Sequence, residues 1–343
     1  MSGKSAARHV LVILAMFGGQ AWPHASPQEL VVIERRVLAE SFRLFYLEVD
    51  RAGMLYWGSP KAIVKLRPDG RRVFELRPGE QRLLGFIDFR IAPSGELVVI
   101  GGASDTPGRL VTRGLVFDAE GRLRRSFDVP EFIARAVEPA EGGEVFLVGA
   151  RASGQAEASE ARMWIYRIGP DGRVLATIPN DQSEGIGRVI SRAQRLIVRG
   201  QDLFWLDPEA LRLQRFSLEA GRWEEQDLSL GELKAQVEQS RRGRRKVEVD
   251  HFAFIGGNFL LAVVAQESRW QKRELKGGSW VLHRPFTYTL YLLSPDGAHV
   301  RPIPVGDDWG SLQAVGRDGF LYFVRHITTG RETRTEVLKA ALR

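Results

Sequence analysis

Basic side chains that could bind an anionic partner are concentrated in one segment of the sequence. Between Arg241 and Lys276 there are nine Lys or Arg and four Asp or Glu, a local net charge of +5 out of +7 for the whole 343-residue chain. Such a cluster predicts binding to acidic polysaccharide, lipid head groups or an acidic protein surface, although a solvated loop without a partner can have the same composition. The basic patch consists of Arg241, Arg242, Arg244, Arg245, Lys246, Arg269, Lys272 and Arg273, with Trp270 available as an aromatic contact.

A second set of residues has side chains suited to proton transfer or to anion binding. Asp88 or His251 could act as a general base, and the arginines could hold a carboxylate or phosphate group. The members lie far apart in the sequence, near the predicted starts of strands, so they act together only if the fold gathers those strands. Polar residues that line a water-filled channel would show the same pattern. The set is Arg43, Asp88, Arg135, Arg188, His251 and Trp309.

The composition excludes several kinds of chemistry. The chain has no cysteine, which excludes disulfides, thiolate metal sites and cysteine nucleophiles. Asn180 and Asn258 are the only asparagines, so a metal site built from carboxylate and amide ligands is not expected. The sequence has neither a Gly-x-Ser-x-Gly nucleophile elbow nor a motif of a nucleic-acid-binding domain. We therefore predict no metal, no cofactor and no nucleic-acid partner.

The elements that must position these residues are short β-hairpins that recur along the chain. The first kind has a turn, usually with glycine, followed by a strongly apolar strand, which is typical of a strand buried on both faces. Six copies occur, and the fourth is degenerate. Their turns are residues 50–53, 92–95, 140–143, 192–194, 255–257 and 316–319.

The second kind of hairpin has a turn typified by Pro-Asp-Gly and occurs five times. Successive turns are 51 residues apart from Gly70 to Gly121 and again from Gly121 to Gly172. The next steps are 38 residues to Ala210, in a degenerate copy, and 87 residues to Gly297, which indicates an insertion. A four-stranded repeat of about 40–50 residues is typical of a β-propeller blade. The turns are residues 67–70, 118–121, 169–172, 207–210 and 294–297.

Six hairpins of the first kind and five of the second predict six blades, the last of which is completed by both ends of the sequence. Residues 29–39 form an isolated predicted strand, and residues 333–342 are the predicted third strand of the last blade. We therefore predict an all-β, six-bladed β-propeller as a single domain over residues 29–343. Pairing of strand 29–39 with strand 333–342 would close the ring without an open seam.

Turns such as Ser94-Gly95 and Asp318-Gly319 resemble those of six-bladed β-propellers of the NHL, SMP-30 and TolB-like kind. The resemblance covers roughly residues 29–343, and it implies the architecture alone. The chain lacks the longer pattern that NHL repeats show around the first turn. It also lacks the asparagine and carboxylate ligands that the SMP-30 lactonases place at the propeller axis.

An insertion is predicted between blades four and five, at about residues 229–250. Ser229 and Glu232 fit a capping box, and apolar residues at helical spacing follow, which predicts a helix from about Leu230 to Gln239. The basic run Arg241–Lys246 comes next. A second polar insert, residues 267–278, is predicted to interrupt blade five after its second strand.

The first residues have the pattern of a secretory signal peptide. Lys4 and Arg8 precede the apolar run of residues 10–17, and Ala21 follows at a site with small residues. We expect residues 1–21 to be removed, or alternatively cleavage after Ala25. The apolar run is too short to span a bilayer. With 41 Arg against 8 Lys, the composition is typical of a bacterium with GC-rich DNA, and we predict a secreted or periplasmic protein without a transmembrane segment in its mature chain.

These features together predict a monomeric, non-catalytic binding or scaffold protein. Its partner would be a protein or an anionic glycan of the cell envelope. We expect it to bind at the basic insert and at the mouth of the central channel, where the set from Arg43 to Trp309 is predicted to lie. The alternative is a propeller hydrolase or lyase that acts on an anionic sugar or lactone through Asp88, Arg188 and His251. Three converging acids, or a His–acid pair at the axis, would favour the enzyme.

Overall fold

Tight turns divide the chain into antiparallel strands that pair in six four-stranded sheets, and these form a six-bladed β-propeller. This confirms the predicted fold. The computed structural model describes residues 29–38, 46–106, 109–151, 163–180, 196–208, 210–226, 228, 230–240, 245–267, 269, 271–274, 280–283, 286–306, 308–329 and 332–343.

The blades follow one another in chain order, and within each blade the strands run outward from the axis. Strand β1 (Leu30–Leu38) comes first and belongs to blade six. Blade one comprises β2 (Tyr46–Val49), β3 (Leu55–Ser59), β4 (Ala62–Leu66) and β5 (Arg72–Leu76). Blade two comprises β6 (Gly85–Ile91), β7 (Leu97–Thr106), β8 (Arg109–Phe117) and β9 (Leu123–Pro130). Blade three comprises β10 (Phe132–Pro139), β11 (Val145–Arg151), β12 (Met163–Ile168) and β13 (Val174–Asn180).

The second half of the chain repeats this plan with two inserts. Blade four comprises β14 (Leu196–Arg199), β15 (Asp202–Asp207), β16 (Arg212–Ser217) and β17 (Arg222–Gln226), and helix α1 (Gly231–Ser240) follows it. Blade five comprises β18 (Arg245–Ile255), β19 (Asn258–Glu267), β22 (Phe286–Leu293) and β23 (Val300–Pro304). A separate hairpin of β20 (Gln271–Glu274) and β21 (Trp280–His283) interrupts it. Blade six comprises β24 (Ser311–Val315), β25 (Leu321–Thr329), β26 (Glu332–Leu342) and β1.

Blade six is shared by the two ends of the described chain. Its strand order is β24–β25–β26–β1, and β1 pairs antiparallel with β26 from Leu30↔Leu342 to Leu38↔Thr335. Beyond this register, the backbones of Glu29 and Arg343 exchange two hydrogen bonds of 2.8 and 3.1 Å. The predicted pairing of the outermost strand with the third strand of the last blade is therefore confirmed.

The hydrophobic core consists of six clusters, one at each interface between neighbouring blades. Successive side chains of a strand point to opposite faces of its sheet, and both faces of a blade are covered by a neighbour. This arrangement explains the continuous apolar runs in the second strands. In β7, for example, Leu97 and Val99 pack toward blade one, whereas Val98 and Ile100 pack toward blade three.

Blade four differs from the prediction by one strand. The segment around Leu196–Arg199 was expected to be the second strand of its blade, but it is the innermost strand, β14, and pairs with β15. The turn at residues 207–210 accordingly joins the second and third strands. The true outer turn ends at Gly221, which has a positive φ of 65° like Gly172 (82°). Gly172 and Gly221 are 49 residues apart, so the period of the first three blades continues into the fourth.

The predicted helix is present as α1, which packs its buried Leu233 and Val237 into the core between blades four and five. Residues 245–250 belong to the innermost strand β18 rather than to a loop. The polar insert of blade five contains the β20–β21 hairpin, whose strands pair only with each other. Among the described residues, no helix has the length and apolar character needed to cross a membrane.

Close packing within blade two makes Gly114 a sensitive position. Gly114 in β8 lies opposite Phe127 in β9, and a Cβ atom at residue 114 would lie 2.0 Å from the Phe127 ring. We expect Gly114→Ala to lower the free energy of unfolding by about 1–3 kcal/mol, because the buried ring must move. Gly102→Ala is the matched control, since no atom lies within 4 Å of its added Cβ. Equal denaturation midpoints for the two variants would contradict this prediction.

Candidate functional site

Four charged residues from three consecutive blades meet at the inner strands. Glu48, Arg90 and Glu138 are the penultimate residues of β2, β6 and β10, and Asp88 lies two residues before Arg90 on β6. Arg90 Nη1 lies 3.1 Å from Glu48 Oε1 and 3.1 Å from Asp88 Oδ1, and Arg90 Nε lies 3.8 Å from Glu138 Oε2. We call these four residues the axial cluster.

The neighbouring inner strands explain why these side chains meet. Strands β2, β6 and β10 contact one another in sequence around the axis. A β-bulge between Phe86 and Asp88 shifts the register of β6 against β7. Because residues two apart on a strand point to the same face, Asp88 and Arg90 lie side by side beyond this bulge.

Burial makes the charges of the axial cluster interdependent. The side chains of Arg90, Glu48 and Asp88 are 7%, 9% and 3% exposed. Burial alone would lower the pKa of the Arg90 guanidinium, but the carboxylates of Asp88, Glu48 and Glu138 together raise it above its ordinary value. Arg90 is therefore cationic at any physiological pH, and the cluster pairs one cation with three carboxyl groups.

Asp88 joins blade two to blade three. Its Oδ1 atom faces Arg90, and its Oδ2 atom accepts a 3.0 Å hydrogen bond from the backbone N–H of Val137 in β10. A general base needs a lone pair directed at a substrate. Both carboxylate oxygens of Asp88 are directed at protein groups in a buried site, so the arrangement fits a connection between blades.

The other residues that were predicted to line the channel mouth lie in different environments. Arg135 is the bulged residue of β10 and is exposed. His251 follows the bulge of β18, the position in blade five that Asp88 has in blade two, and it is fully buried. Trp309 packs edge-on against Phe323, with ring centroids 5.2 Å apart, in the core between blades five and six. Arg43 and Arg188 lie outside the described residues.

The sequence pattern indicated Asp88 but not its three partners in the axial cluster. Glu48, Arg90 and Glu138 each lie five residues before the last glycine of a first-kind turn, namely Gly53, Gly95 and Gly143. This shared offset was the available signal. Within the described part of the chain, no group of three His, Asp or Glu side chains is arranged to hold a metal ion.

A small groove between blades six and one is lined in part by Tyr322 and Lys339, which belong to a second set of paired charges. Asp318 Oδ2 accepts hydrogen bonds from the Tyr322 hydroxyl at 2.6 Å and from Lys339 Nζ at 2.8 Å. Burial, followed by this hydrogen bond, raises the pKa of Tyr322. The equivalent residues of blade one, Tyr56 and Lys65, face Asp50 in the same way. The repetition indicates a recurring contact within a blade, between the first turn and the second and third strands.

The described members of the basic patch lie at one end of blade five. The register Arg245↔Glu267 and Lys246↔Gln266 places the end of the first basic run beside the start of the second. Lys246 is exposed and forms an ion pair with Glu248, and Arg269 is exposed. Lys272 and Arg273 are paired across the β20–β21 hairpin with Leu282 and Val281. Arg241, Arg242 and Arg244 lie outside the described residues. We call this end, Arg245 and Lys246 with the described residues between Gln266 and Phe286, the basic face of blade five.

Comparison with known proteins supports the fold and does not assign a family. No protein-family model and no curated protein sequence matches the chain. A Bacteroides fragilis protein named as a candidate exported protein has a similar structure, with 10% sequence identity, coverage of 92% of this chain and 95% of that one, and a TM-score of 0.52.

Two further structures are similar over most of their length. One is a member of the DUF4221 family from Bacteroides vulgatus, with 11% identity, coverage of 92% and 98%, and a TM-score of 0.48. The other is regucalcin, a calcium-binding protein from Agrobacterium tumefaciens, with 13% identity, coverage of 90% and 95%, and a TM-score of 0.44.

Proposed function

We propose that this chain is an exported, bacterial, non-catalytic β-propeller that binds an anionic partner through the basic face of blade five. The observation that carries the proposal is the register Arg245↔Glu267, which brings two basic segments about 25 residues apart in the sequence to one end of the blade. Convergent basic residues create a field that attracts and orients an acidic partner. The partner is an anionic glycan, lipid or protein surface of the cell envelope.

Export rests on the N-terminal sequence pattern of cationic, apolar and small residues. The Bacteroides fragilis protein with a similar fold also has a name that places it among candidate exported proteins. An extracytoplasmic location would put the basic face in contact with the acidic polymers and lipids of the envelope.

The axial cluster supports a scaffold role rather than catalysis. Three acids do converge there, as the enzymatic alternative requires, but they converge on Arg90. Asp88 is also bonded to the backbone of the next blade. A hydrolase or lyase would need at least one of these carboxylates to face a substrate, whereas here they hold three blades together.

A pull-down from envelope extract tests the proposed function. Replacement of five cations of the basic face by Ser, at Arg245, Lys246, Arg269, Lys272 and Arg273, should abolish retention of the partner, because the attraction depends on these charges. The matched control replaces five arginines near the outer turns, at the opposite end of the blades, and should retain the partner. Retention by both variants, or loss from both, would count against the basic face. The control residues are Arg71, Arg122, Arg124, Arg173 and Arg222.

A further inference from the structure

We propose that the central channel binds a small carboxylate with an apolar chain, and that Arg135 holds its carboxylate where the innermost strands begin. The site lies on adjacent strands of blades two and three and is separate from the basic face of blade five. Three observations support it, namely a change of exposure at aligned β-bulges, an arginine without a partner, and exposed apolar side chains beside that arginine.

β-Bulges interrupt the innermost strands of blades two, three and five at the same height along the channel. The cross-strand register skips Ile87 in β6, Arg135 in β10 and Asp250 in β18. In each blade, the residue after the bulge pairs with the second-strand residue five positions after the last glycine of the turn. Bulges commonly redirect side chains near functional sites, and here they are aligned in three blades.

The exposure of these strands changes at the bulges. In all three strands, the bulged residue and the residue two positions before it are exposed or half-buried, whereas the two residues after the bulge are buried. An innermost strand has a blade on each face and the second strand along its outer edge, so solvent reaches its side chains from the channel. The channel is therefore open to solvent where the strands begin, and the buried axial cluster lies beyond the bulges.

Arg135 is the charged side chain in this open part that is available to a ligand. It is exposed, and it has no ion pair, hydrogen bond or aromatic contact with any residue in the described part of the chain. The exposed Lys246 and Glu248 of β18, by contrast, pair with each other. Asp250 accepts a hydrogen bond from the Tyr288 hydroxyl. Because a guanidinium can bind a carboxylate through two parallel hydrogen bonds, Arg135 favours a carboxylate ligand.

The acids of the axial cluster leave Arg135 free for this role. Glu138 is the nearest of them on the same strand, three residues further along β10 and therefore about 10 Å away. Its carboxylate is directed at Arg90. Charges separated by about a Debye length interact weakly in physiological salt, so the cluster neither neutralises Arg135 nor strongly repels an anion bound there.

Exposed apolar side chains lie on the same two strands. Ile133 is 37% exposed, like Arg135 two residues later, whereas Ala134 between them is buried. Ile87 is the half-buried bulged residue of β6, which contacts β10, and Leu84 just before β6 is 70% exposed. The other large apolar residues with such exposure, among those described, lie on third or outermost strands. Apolar side chains beside an unpartnered cation favour a ligand with both an apolar chain and a carboxylate.

Titration with hexanoate, followed by saturation-transfer NMR, tests this inference. The intact protein should bind hexanoate about tenfold more tightly than 1-hexanol, because the alcohol has the chain but no charge to pair with Arg135. Arg135→Gln should weaken hexanoate binding by about tenfold and leave the binding of hexanol unchanged. Absence of hexanoate binding by the intact protein, or equal affinity for the two compounds, would overturn the inference.

Two further variants locate the site on β10. Arg199→Gln removes an exposed arginine at the last residue of another innermost strand, where it stacks on Phe254, and should leave hexanoate binding unchanged. Equal loss in the Arg199 and Arg135 variants would overturn the inference. Ile133→Ser should weaken hexanoate binding because the chain loses an apolar contact, and unaltered binding would contradict that contact. The melting temperature of each variant, measured in parallel, shows whether the propeller is intact.

Fatty acids and the carboxyl termini of peptides both have this chemistry, and N-acetylleucine represents the second source. Tighter binding of hexanoate would identify a fatty acid as the ligand, and tighter binding of N-acetylleucine would identify a peptide terminus. Either result supports the site if Arg135→Gln weakens it. The variant that lacks the cations of the basic face should bind hexanoate like the intact protein. Loss of hexanoate binding in that variant would overturn the inference, whereas its pull-down result tests the proposed function separately.

Discussion

Replacement of Arg90 by Met is expected to lower the free energy of unfolding by about 3–5 kcal/mol, because it leaves buried carboxylates without their cation. Methionine approximates the length of the arginine stem but has no charge to oppose Glu48, Asp88 and Glu138. The side chain of Arg90 is only 7% exposed, so water cannot replace the lost guanidinium. Urea denaturation at neutral pH measures the loss.

The pH dependence of the Arg90→Met variant gives a second readout. Protonation of the three carboxyl groups removes the repulsion that the variant suffers, and the folded state takes up these protons more readily than the unfolded state. Its stability relative to the unsubstituted protein should therefore rise as the pH falls from neutral toward the acidic range. A pH-independent difference between the two proteins would contradict the electrostatic explanation.

Two further variants localise the effect to the axial cluster. Arg173→Met removes an arginine whose side chain is 85% exposed and pairs with Asp171, so its stability should change by less than about 1 kcal/mol. Asp88→Asn in the Arg90→Met background should recover part of the loss, since it removes one uncompensated charge. Additive losses in this double variant would mean that Asp88 and Arg90 do not interact.

The fold could be predicted from the sequence because the turns that mark its strands are formed by residues adjacent in the chain. Most outer turns of the blades end on a glycine with positive φ, such as Gly70, Gly121 and Gly172, and few other residues adopt that conformation. Blade four was misread because its innermost hairpin turns at Gly200 and Gln201 only, between β14 and β15. The Asp-Pro sequence that begins at Asp207 then imitates an outer turn. The number of turns still predicted six blades, although the strands of blade four were assigned one position too far from the axis.

The axial cluster was harder to predict from the sequence because it depends on contacts between blades. Glu48, Arg90 and Glu138 are about 45 residues apart in sequence, and no local pattern pairs an acid in one blade with an arginine in the next. The basic face illustrates the same limit. Its charge could be counted along the chain, but the adjacency of its two segments follows from the register Arg245↔Glu267.

Closure of the ring could be predicted from the count of turns, although it depends on a contact between segments far apart in the sequence. Its loss is the second change for which we expect a large effect. Removal of residues 29–38 should prevent a stable monomeric ring, because β26 would become an unpaired edge and the core would lose Leu38, which is only 3% exposed. An unpaired edge strand is a template for association with another chain. Size-exclusion chromatography should show aggregates or oligomers, and a stable monomer would contradict the importance of β1.

A disulfide across the closing strands measures the contribution of closure without removing any segment. Glu29 and Arg343 form a hydrogen-bonded pair, so the next pair, Leu30 and Leu342, is a non-hydrogen-bonded one with its Cα atoms about 4.5 Å apart. This separation suits a disulfide. Because the chain has no other cysteine, the double variant Leu30→Cys/Leu342→Cys can form only this intramolecular bond.

The oxidised double variant should exceed its reduced form in unfolding free energy by about 2–4 kcal/mol, because the bond restricts the unfolded chain across nearly its whole length. Both forms lack the same two leucines, which pack against the core between blades five and six, so the cost of losing them cancels in the comparison. The single variant Leu30→Cys should show no dependence on reductant. Equal midpoints for the oxidised and reduced forms, with the disulfide verified by thiol titration, would contradict this prediction.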